Sequence, residues 1–205
     1  ANPKLLGDDA AKWRAVAAAG GWTEEELANR YKQYRNKSFM YVKRALPPPQ
    51  AEAILAQKID GLFGQKEYKR YYPAGEVTAH LVGFNNIDDN GQEGIELAYN
   101  DALTGVPGKR RVTKDRKDRV IRDLGVVQPE QRGADISLSI DLRVQFYAHT
   151  ILQEVITEFK ALGGSAVVLD VKTGEVIAMV NAPSFNPNNR VGVTPQQMRN
   201  RAMVD

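Results

Sequence analysis

The stretch from Asp141 to Val180 constrains the fold more than any other part of the chain. Apolar residues at Val144, Ala148, Leu152, Val155, Phe159 and Leu162 step by four, four, three, four and three, the spacing of one continuous buried helix face. Asp141 stands where an N-cap belongs, and Gly163-Gly164 where such a helix must stop. Ser165–Asp170 (SAVVLD) is a nearly unbroken apolar run, read as a strand covered on both faces. Lys172-Thr173-Gly174 is a tight turn, and Glu175–Val180 (EVIAMV) returns as the hairpin partner. A helix laid on such a hairpin demands an α+β layer. Ile136–Ile140 (ISLSI) alternates as a further strand, and a helix begins near Thr194-Pro195.

The first ~60 residues read as helical. Asp8 and Asp9 precede a face of Ala10, Trp13, Val16 and Ala17 that ends at Gly20-Gly21. Thr23 and Glu26 have capping-box spacing, with Glu24 and Glu25 at the positive end of the dipole. The buried stripe of that second helix is Leu27, Tyr31 and Tyr34. Ser38–Arg44 and Tyr68–Tyr72 have strand composition. Pro47-Pro48-Pro49 opens a short helix through Gln57. Asp89-Asn90-Gly91 and Thr104-Gly105-Val106-Pro107-Gly108 are turns, with a short helix over Gly94–Tyr99 between them. Two basic strands flank Lys117-Asp118, and Leu124–Gly133 reads as a linker.

Composition narrows the function classes. With 205 residues, 42% hydrophobic and 26% charged, the chain is neither disordered nor collagenous. No window reaches the roughly 18 apolar residues of a membrane span. The lack of cysteine excludes disulfides, thiol catalysis and Cys-ligated zinc. A balance of 28 basic to 25 acidic residues gives +3, too mild to imply nucleic acid. His80 and His149 lack metal-ligand spacing and read as packed or surface imidazoles. Asp88-Asp89-Asn90-Gly91 with Glu93 fits no EF-hand register. The basic run from Lys109 to Arg122 has no interleaved aromatics and reads first as a solvated hairpin. Lys-Thr-Gly is also an active-site box of penicillin-recognising serine enzymes, but at 172–174 the turn alone explains it. None of the five serines, Ser38, Ser137, Ser139, Ser165 and Ser184, has Lys three residues later. The expected catalytic residues, cofactors and metals within the chain are therefore none.

Several long motifs, in order, resemble the class B penicillin-binding proteins, most of all their cell-division branch. They are RYYPAGEVTAHLVGF (Arg70–Phe84), EGIELAYNDALTGVPGKRRVTKDRKDRVI (Glu93–Ile121), SIDLRVQ (Ser139–Gln145), GSAVVLDVKTGEVIAMVNAPSFNPNN (Gly164–Asn189) and MRNRAMVD (Met198–Asp205). The resemblance implies an α+β chain in two parts. Residues 1–124 are a mixed helical and β-rich non-catalytic pedestal, 125–133 a linker, and 134–205 the opening helix and β-hairpin of a transpeptidase domain. It implies a periplasmic enzyme, tethered to the inner membrane, that cross-links peptide stems of septal peptidoglycan and is acylated by β-lactams. Its nucleophilic Ser, in a Ser-x-x-Lys box, is expected just beyond Asp205, so the chain reads as an inactive piece of a longer protein that lacks the anchor helix. Implied partners are stem peptides, β-lactams and division membrane proteins, including a septal glycan polymerase, with no nucleic acid. The alternative reading is a non-catalytic interaction module docking division partners or glycan. A further one is a stand-alone protein that has lost catalysis.

The motif residues expected to matter are structural: Arg70, Gly75, His80, Gly83, Gly94, Glu96, Gly105 and Arg116. The glycines permit turns or close backbone approach. Arg70, Glu96, Arg116 and Asp115 are read as ion-pair partners joining pedestal to transpeptidase domain.

Overall fold

A computed structural model describes residues 1–115 and 120–205. The chain forms two compact units, one of residues 1–69 with 114–122, the other of residues 70–113 with 123–205.

The first unit is helical: α1 (Pro3–Leu6), α2 (Ala10–Gly20), α3 (Glu24–Tyr34) and α4 (Pro48–Leu55). Asp9 caps α2 by accepting from the N–H groups of Ala11 and Lys12, and Gly21 closes it in the left-handed region. Thr23 and Glu26 form the expected capping box on α3. Leu6, Trp13, Val16 and Met40 make the buried core, with Leu27, Tyr31 and Tyr34 of α3 packed against it. Trp13 and Tyr31 meet edge to face at 5.2 Å, the arrangement that aromatic quadrupoles favour.

Ser38–Arg44 is irregular, not the expected strand. Its backbone is satisfied by other groups. The Val42 carbonyl accepts from Trp22 Nε1 at 3.2 Å and the Tyr41 carbonyl from Arg30 Nη1 at 3.2 Å. Met40 is buried in the helical core, so β-rich composition serves burial here without a strand partner.

The second unit opens with a single 3₁₀ turn (Gly75–Val77) and the short helices α5 (Ala79–Val82), α6 (Gly94–Ala98) and α7 (Asn100–Thr104). Strands β1 (Lys109–Lys114) and β2 (Val120–Gln128) then pair in a two-stranded sheet. Arg110 and Asp123 are bridged at 2.8 Å on this exposed ribbon. The expected turn at Lys117-Asp118, and Arg116, lie outside the described residues. The stretch 125–133 is not free chain: β2 runs through Gln128, and Val106 and Gln131 exchange backbone hydrogen bonds at 2.8 and 2.9 Å.

Next come α8 (Leu142–Phe159), β3 (Gly164–Leu169) and β4 (Val176–Ala182), then α9 (Pro195–Met198) and α10 (Arg201–Val204). β3 and β4 are antiparallel, Gly164 opposite Ala182 and Val168 opposite Ala178. The turn between them is as read: Asp170 Oδ1 accepts from the N–H groups of Lys172 and Thr173. Asp141 caps α8 through the N–H groups of Arg143 and Val144. Hydrogen bonds from the Arg143 side chain, then those two N–H groups, hold the Asp141 carboxyl down at about 2.

Four expectations change in this unit. Tyr68–Tyr72 is not a strand. An amide stands in for a neighbouring strand: Tyr72 N–H donates to Asn188 Oδ1 and Asn188 Nδ2 donates to the Tyr72 carbonyl, both at 2.9 Å. Ile136–Ile140 is not a strand either; Ser139 Oγ donates to the Val176 carbonyl, and the adjoining Asp141 N–H donates to that of Ile177. The inward stripe of α8 continues to Ile156, while Val155 and Phe159 are exposed and α8 ends at Lys160, short of Leu162. Leu152 and Ile156 lie over Gly164, where a Cβ would already touch them at 3.4 and 3.6 Å. An 18-residue helix spans about 27 Å, longer than a six-residue strand of about 20 Å, so its last turns project past the sheet. Finally, β3 is not covered on both faces, since Val167, Val168 and Leu169 are exposed. β4 is the buried strand of the pair.

Thr23→Ala removes one half of the capping box on α3. It is expected to cost about 1 kcal/mol, read as a lower urea midpoint with an unchanged slope.

Candidate functional site

Within the second unit, polar side chains buried between the 70–105 segment and the 139–205 segment form one seam. Gln145 of α8 is 1% exposed although it sits on an apolar helix. Its Oε1 accepts from the Met179 N–H at 2.8 Å. Its Nε2 donates to the Met179 carbonyl at 2.8 Å and to the Val77 carbonyl at 2.7 Å. One side chain thereby ties α8, β4 and the 3₁₀ turn together.

Asn181, near the end of β4, is 1% exposed as well. Its Nδ2 donates to Asn200 Oδ1 at 2.9 Å, and its Oδ1 accepts from the Ala202 N–H in α10 at 2.7 Å. Asn200 Nδ2 reaches the His80 carbonyl at 3.2 Å. The His80 ring closes the circuit: Nε2 lies 2.7 Å from the Gln197 carbonyl, which can only accept, so this nitrogen carries the proton. The residues leading into α10 are thus held by β4 on one side and by α5 on the other. Arg199 pairs with Asp205 across the same turn.

Beneath the seam, Tyr72, Ala79, Phe84 and Phe185 form the apolar cluster. The Tyr72 hydroxyl donates to Asn85 Oδ1 at 3.2 Å and accepts from the Asn85 N–H at 3.0 Å. Burial, then the Glu96 carboxylate, push this hydroxyl up from its ordinary value, so it keeps its proton. Arg190 stacks over Phe84 at 4.0 Å and donates to the Asn85 carbonyl.

Seven of the eight predicted motif residues are described, and all seven lie in the second unit. Arg70 Nε lies 3.5 Å from Glu96 Oε1, whose side chain is only 9% exposed. Gly75, Gly83, Gly94 and Gly105 have φ of 52°, 78°, 58° and 66°. At Gly83 a Cβ would also collide with the Glu93 carbonyl, so no other residue fits. Arg116 is outside the described residues, and Lys172-Thr173-Gly174 sits at the β3–β4 turn, where Gly174 has φ of 76°. Sequence reasoning missed Gln145, Asn181, Asn188 and Asn200. A polar residue within an apolar stripe or run (VQFYA, AMVNA) was the available signal.

Among the described residues no group of three or more His, Asp or Glu side chains is placed to hold a metal. Nor does any described helix have the length and apolarity to cross a membrane. The arrangement fixes where α10 starts.

Two family models match the chain. Residues 4–138 match the penicillin-binding protein dimerisation domain and residues 164–205 the penicillin-binding protein transpeptidase domain. The peptidoglycan D,D-transpeptidase FtsI of Escherichia coli K12 is 43% identical over 194 residues, 95% of this chain and 33% of that protein. A probable peptidoglycan D,D-transpeptidase, PbpC of Pseudomonas aeruginosa, is 44% identical over 170 residues, 83% of this chain and 30% of that one. The chain spans about a third of the length of these relatives. Among solved structures, penicillin-binding protein 2X of Streptococcus thermophilus superposes with a TM-score of 0.55 at 21% identity, over 94% of this chain and 31% of that one. A peptidoglycan synthetase of Bifidobacterium adolescentis gives 0.54 at 23% identity, over 86% and 32%. Both share the fold.

Gln145→Leu strands one N–H and two carbonyls in the seam and is expected to cost about 3 kcal/mol, measured by urea unfolding. The two histidines give a pH signature. Burial lowers His80, helped by Arg201 and His149 and opposed by the Gln197 carbonyl. Burial also lowers His149, opposed by Glu76. The unfolded chain thus binds more protons just below the ordinary histidine value of 6.5, and stability falls as pH drops through that value. His149 Nε2 is also buried without a partner. His149→Leu is therefore expected to raise stability at neutral pH by about 1 kcal/mol and to flatten the acid slope, both read from urea midpoints across that pH window.

Proposed function

This chain belongs to the penicillin-binding proteins, and on that premise we propose that it is the scaffold portion of a serine-type peptidoglycan D,D-transpeptidase. The observation that carries the proposal is the seam. The Arg70–Gly105 motif region and the residues matching the transpeptidase model are built into one compact unit. Gln145 ties the Val77 carbonyl to β4, while His80 and Asn181 hold the segment leading into α10. An acyl-transfer enzyme needs its nucleophile held to within a fraction of an ångström. A seam that immobilises the approach to that residue meets this need.

In the proposed reaction the nucleophile lies in a Ser-x-x-Lys box downstream of Asp205. Its hydroxyl attacks the carbonyl of the penultimate D-Ala of a stem peptide. The Lys, one helical turn on, takes the hydroxyl proton. The terminal D-Ala leaves, and the acyl group passes to an amine on a neighbouring stem. A β-lactam enters the same acylation and stays on the serine. Residues 1–124 serve as the pedestal and 134–205 as the start of the catalytic domain, and the Arg70–Glu96 pair braces the pedestal's own motif region. We place the protein in the periplasm, tethered to the inner membrane, at the septum. Its partners there are division membrane proteins, including a septal glycan polymerase. These finer assignments rest on the motif resemblance to the cell-division branch.

Fluorescent penicillin separates the alternatives. Residues 1–205 alone are expected to take no covalent label. The polypeptide continued past Asp205 is expected to be labelled on the serine of its Ser-x-x-Lys box. Label on the 205-residue chain, or a continuation without that box, overturns the assignment.

A further inference from the structure

The turn after α5 carries an asparagine directly before a glycine, Asn90-Gly91. That pair is chemically labile. A glycine amide nitrogen, unshielded by any side chain of its own, can close on the carboxamide beside it. The fold cannot escape the hazard by replacing the glycine. A Cβ at Gly91 would collide with the Glu96 carbonyl, and Gly91 faces Asn85 in an antiparallel bridge.

The hazard is held in check locally. Asn90 is exposed, while Gly91 is buried. The Gly91 N–H, which must lose its proton to attack, donates to Oδ1 of Asn100, the first residue of α7, at 2.8 Å. The neighbouring peptide groups are pinned too. Gln92 Nε2 donates to the carbonyls of Asn90 and Gly91, both at 3.1 Å. Asn86 Oδ1 accepts from the Asn90 N–H at 3.0 Å, and the Asn86 N–H donates to the Asn90 carbonyl at 2.9 Å.

We propose that Asn90 is a site of self-catalysed deamidation and that Asn100 is the latch that keeps it closed. In the step, the Gly91 nitrogen attacks Asn90 Cγ and a new C–N bond forms. The bond from Cγ to the side-chain nitrogen breaks, and that nitrogen leaves as ammonia, carrying away the proton released from the Gly91 N–H. The product is a five-membered succinimide. Water, the only co-reactant, then opens either of the two carbonyl–nitrogen bonds. One opening gives aspartate and the other isoaspartate; nothing is oxidised or reduced. Both add a carboxylate beside Asp88 and Asp89. Isoaspartate also adds a carbon to the main chain, between the Asn86–Asn90 contacts and the Asn85–Gly91 bridge. Asn85 is bonded to the Tyr72 hydroxyl and follows Phe84 of the buried cluster, so damage at one exposed amide reaches the core.

The test is timed incubation at mildly alkaline pH, followed by peptide mapping for the small mass gain at Asn90 and for isoaspartate. The folded chain is compared with its urea-unfolded form, with Asn100→Ala and with Asn100→Asp. Amide hydrogen exchange at Gly91 and in β4 is followed in the same samples. The folded chain is expected to convert more slowly than the unfolded one. Asn100→Ala is expected to convert about tenfold faster than the parent, the equivalent of one lost hydrogen bond. Gly91 exchange should rise with it while β4 exchange stays put. Asn100→Asp keeps an acceptor oxygen in place and is expected to stay close to the parent rate. Two outcomes overturn the proposal: parent-rate conversion in Asn100→Ala despite faster exchange at Gly91, or equal conversion in the folded and unfolded parent. The second comparison decides the matter even if Asn100→Ala fails to fold.

Discussion

The second unit depends on a few buried carboxamides that satisfy backbone groups on neighbouring elements. Gln145 and Asn181 are each 1% exposed, and together they engage Val77, Met179, Asn200 and Ala202. Strand β4 pairs with β3 along one edge; backbone groups it leaves over are met by Ser139 and Asp141 near its start and by Gln145 at Met179. A buried strand with an unpaired edge is costly, because each orphaned polar group loses its water without replacement. Gln145 removes that cost at Met179 by presenting a donor and an acceptor from the helix above. The packing of α8 on β4 is therefore fixed in register by hydrogen bonding, with apolar contact filling the space around it.

The same device sets the geometry leading into α10. That helix has only four residues, too few to be stable alone. Its position comes from Asn181 beneath it and from the chain Asn200–His80–Gln197 beside it. The neutral His80 ring suits this task. It donates from Nε2, and burial keeps a second proton away at neutral pH. A protonated ring would place a cation near Arg201, which already opposes it.

Local signals in the sequence located most elements. Asp9, Thr23 and Asp141 mark helix starts because their side-chain oxygens accept from unpaired N–H groups, a property of the residue and its immediate neighbours. The β3–β4 hairpin was legible for the same reason, since Asp170 and Gly174 build the turn by themselves. The three missing strands were not. Ser38–Arg44, Tyr68–Tyr72 and Ile136–Ile140 have β composition, but a strand exists only with a partner, and partners are set by tertiary packing. The α8 stripe was read correctly up to Leu152. Beyond it the helix outruns the sheet, so Phe159 is apolar without being buried. The seam was the least legible part. Glutamine and asparagine carry no periodic signal, and their roles arise only when α8, β4 and α5 come together. The glycines were easier: Gly83 leaves no room for a side chain beside Glu93, a constraint that its residue type announces.

Asn188 carries a further consequence. By reading the Tyr72 peptide group on both its N–H and its carbonyl, it does for one residue what a strand does for a whole edge. Recognition is thereby concentrated in one carboxamide. Tyr68 and Tyr71 point to solvent, so neither side chain shares in that contact. The position at 188 admits only side chains that present a donor and an acceptor side by side.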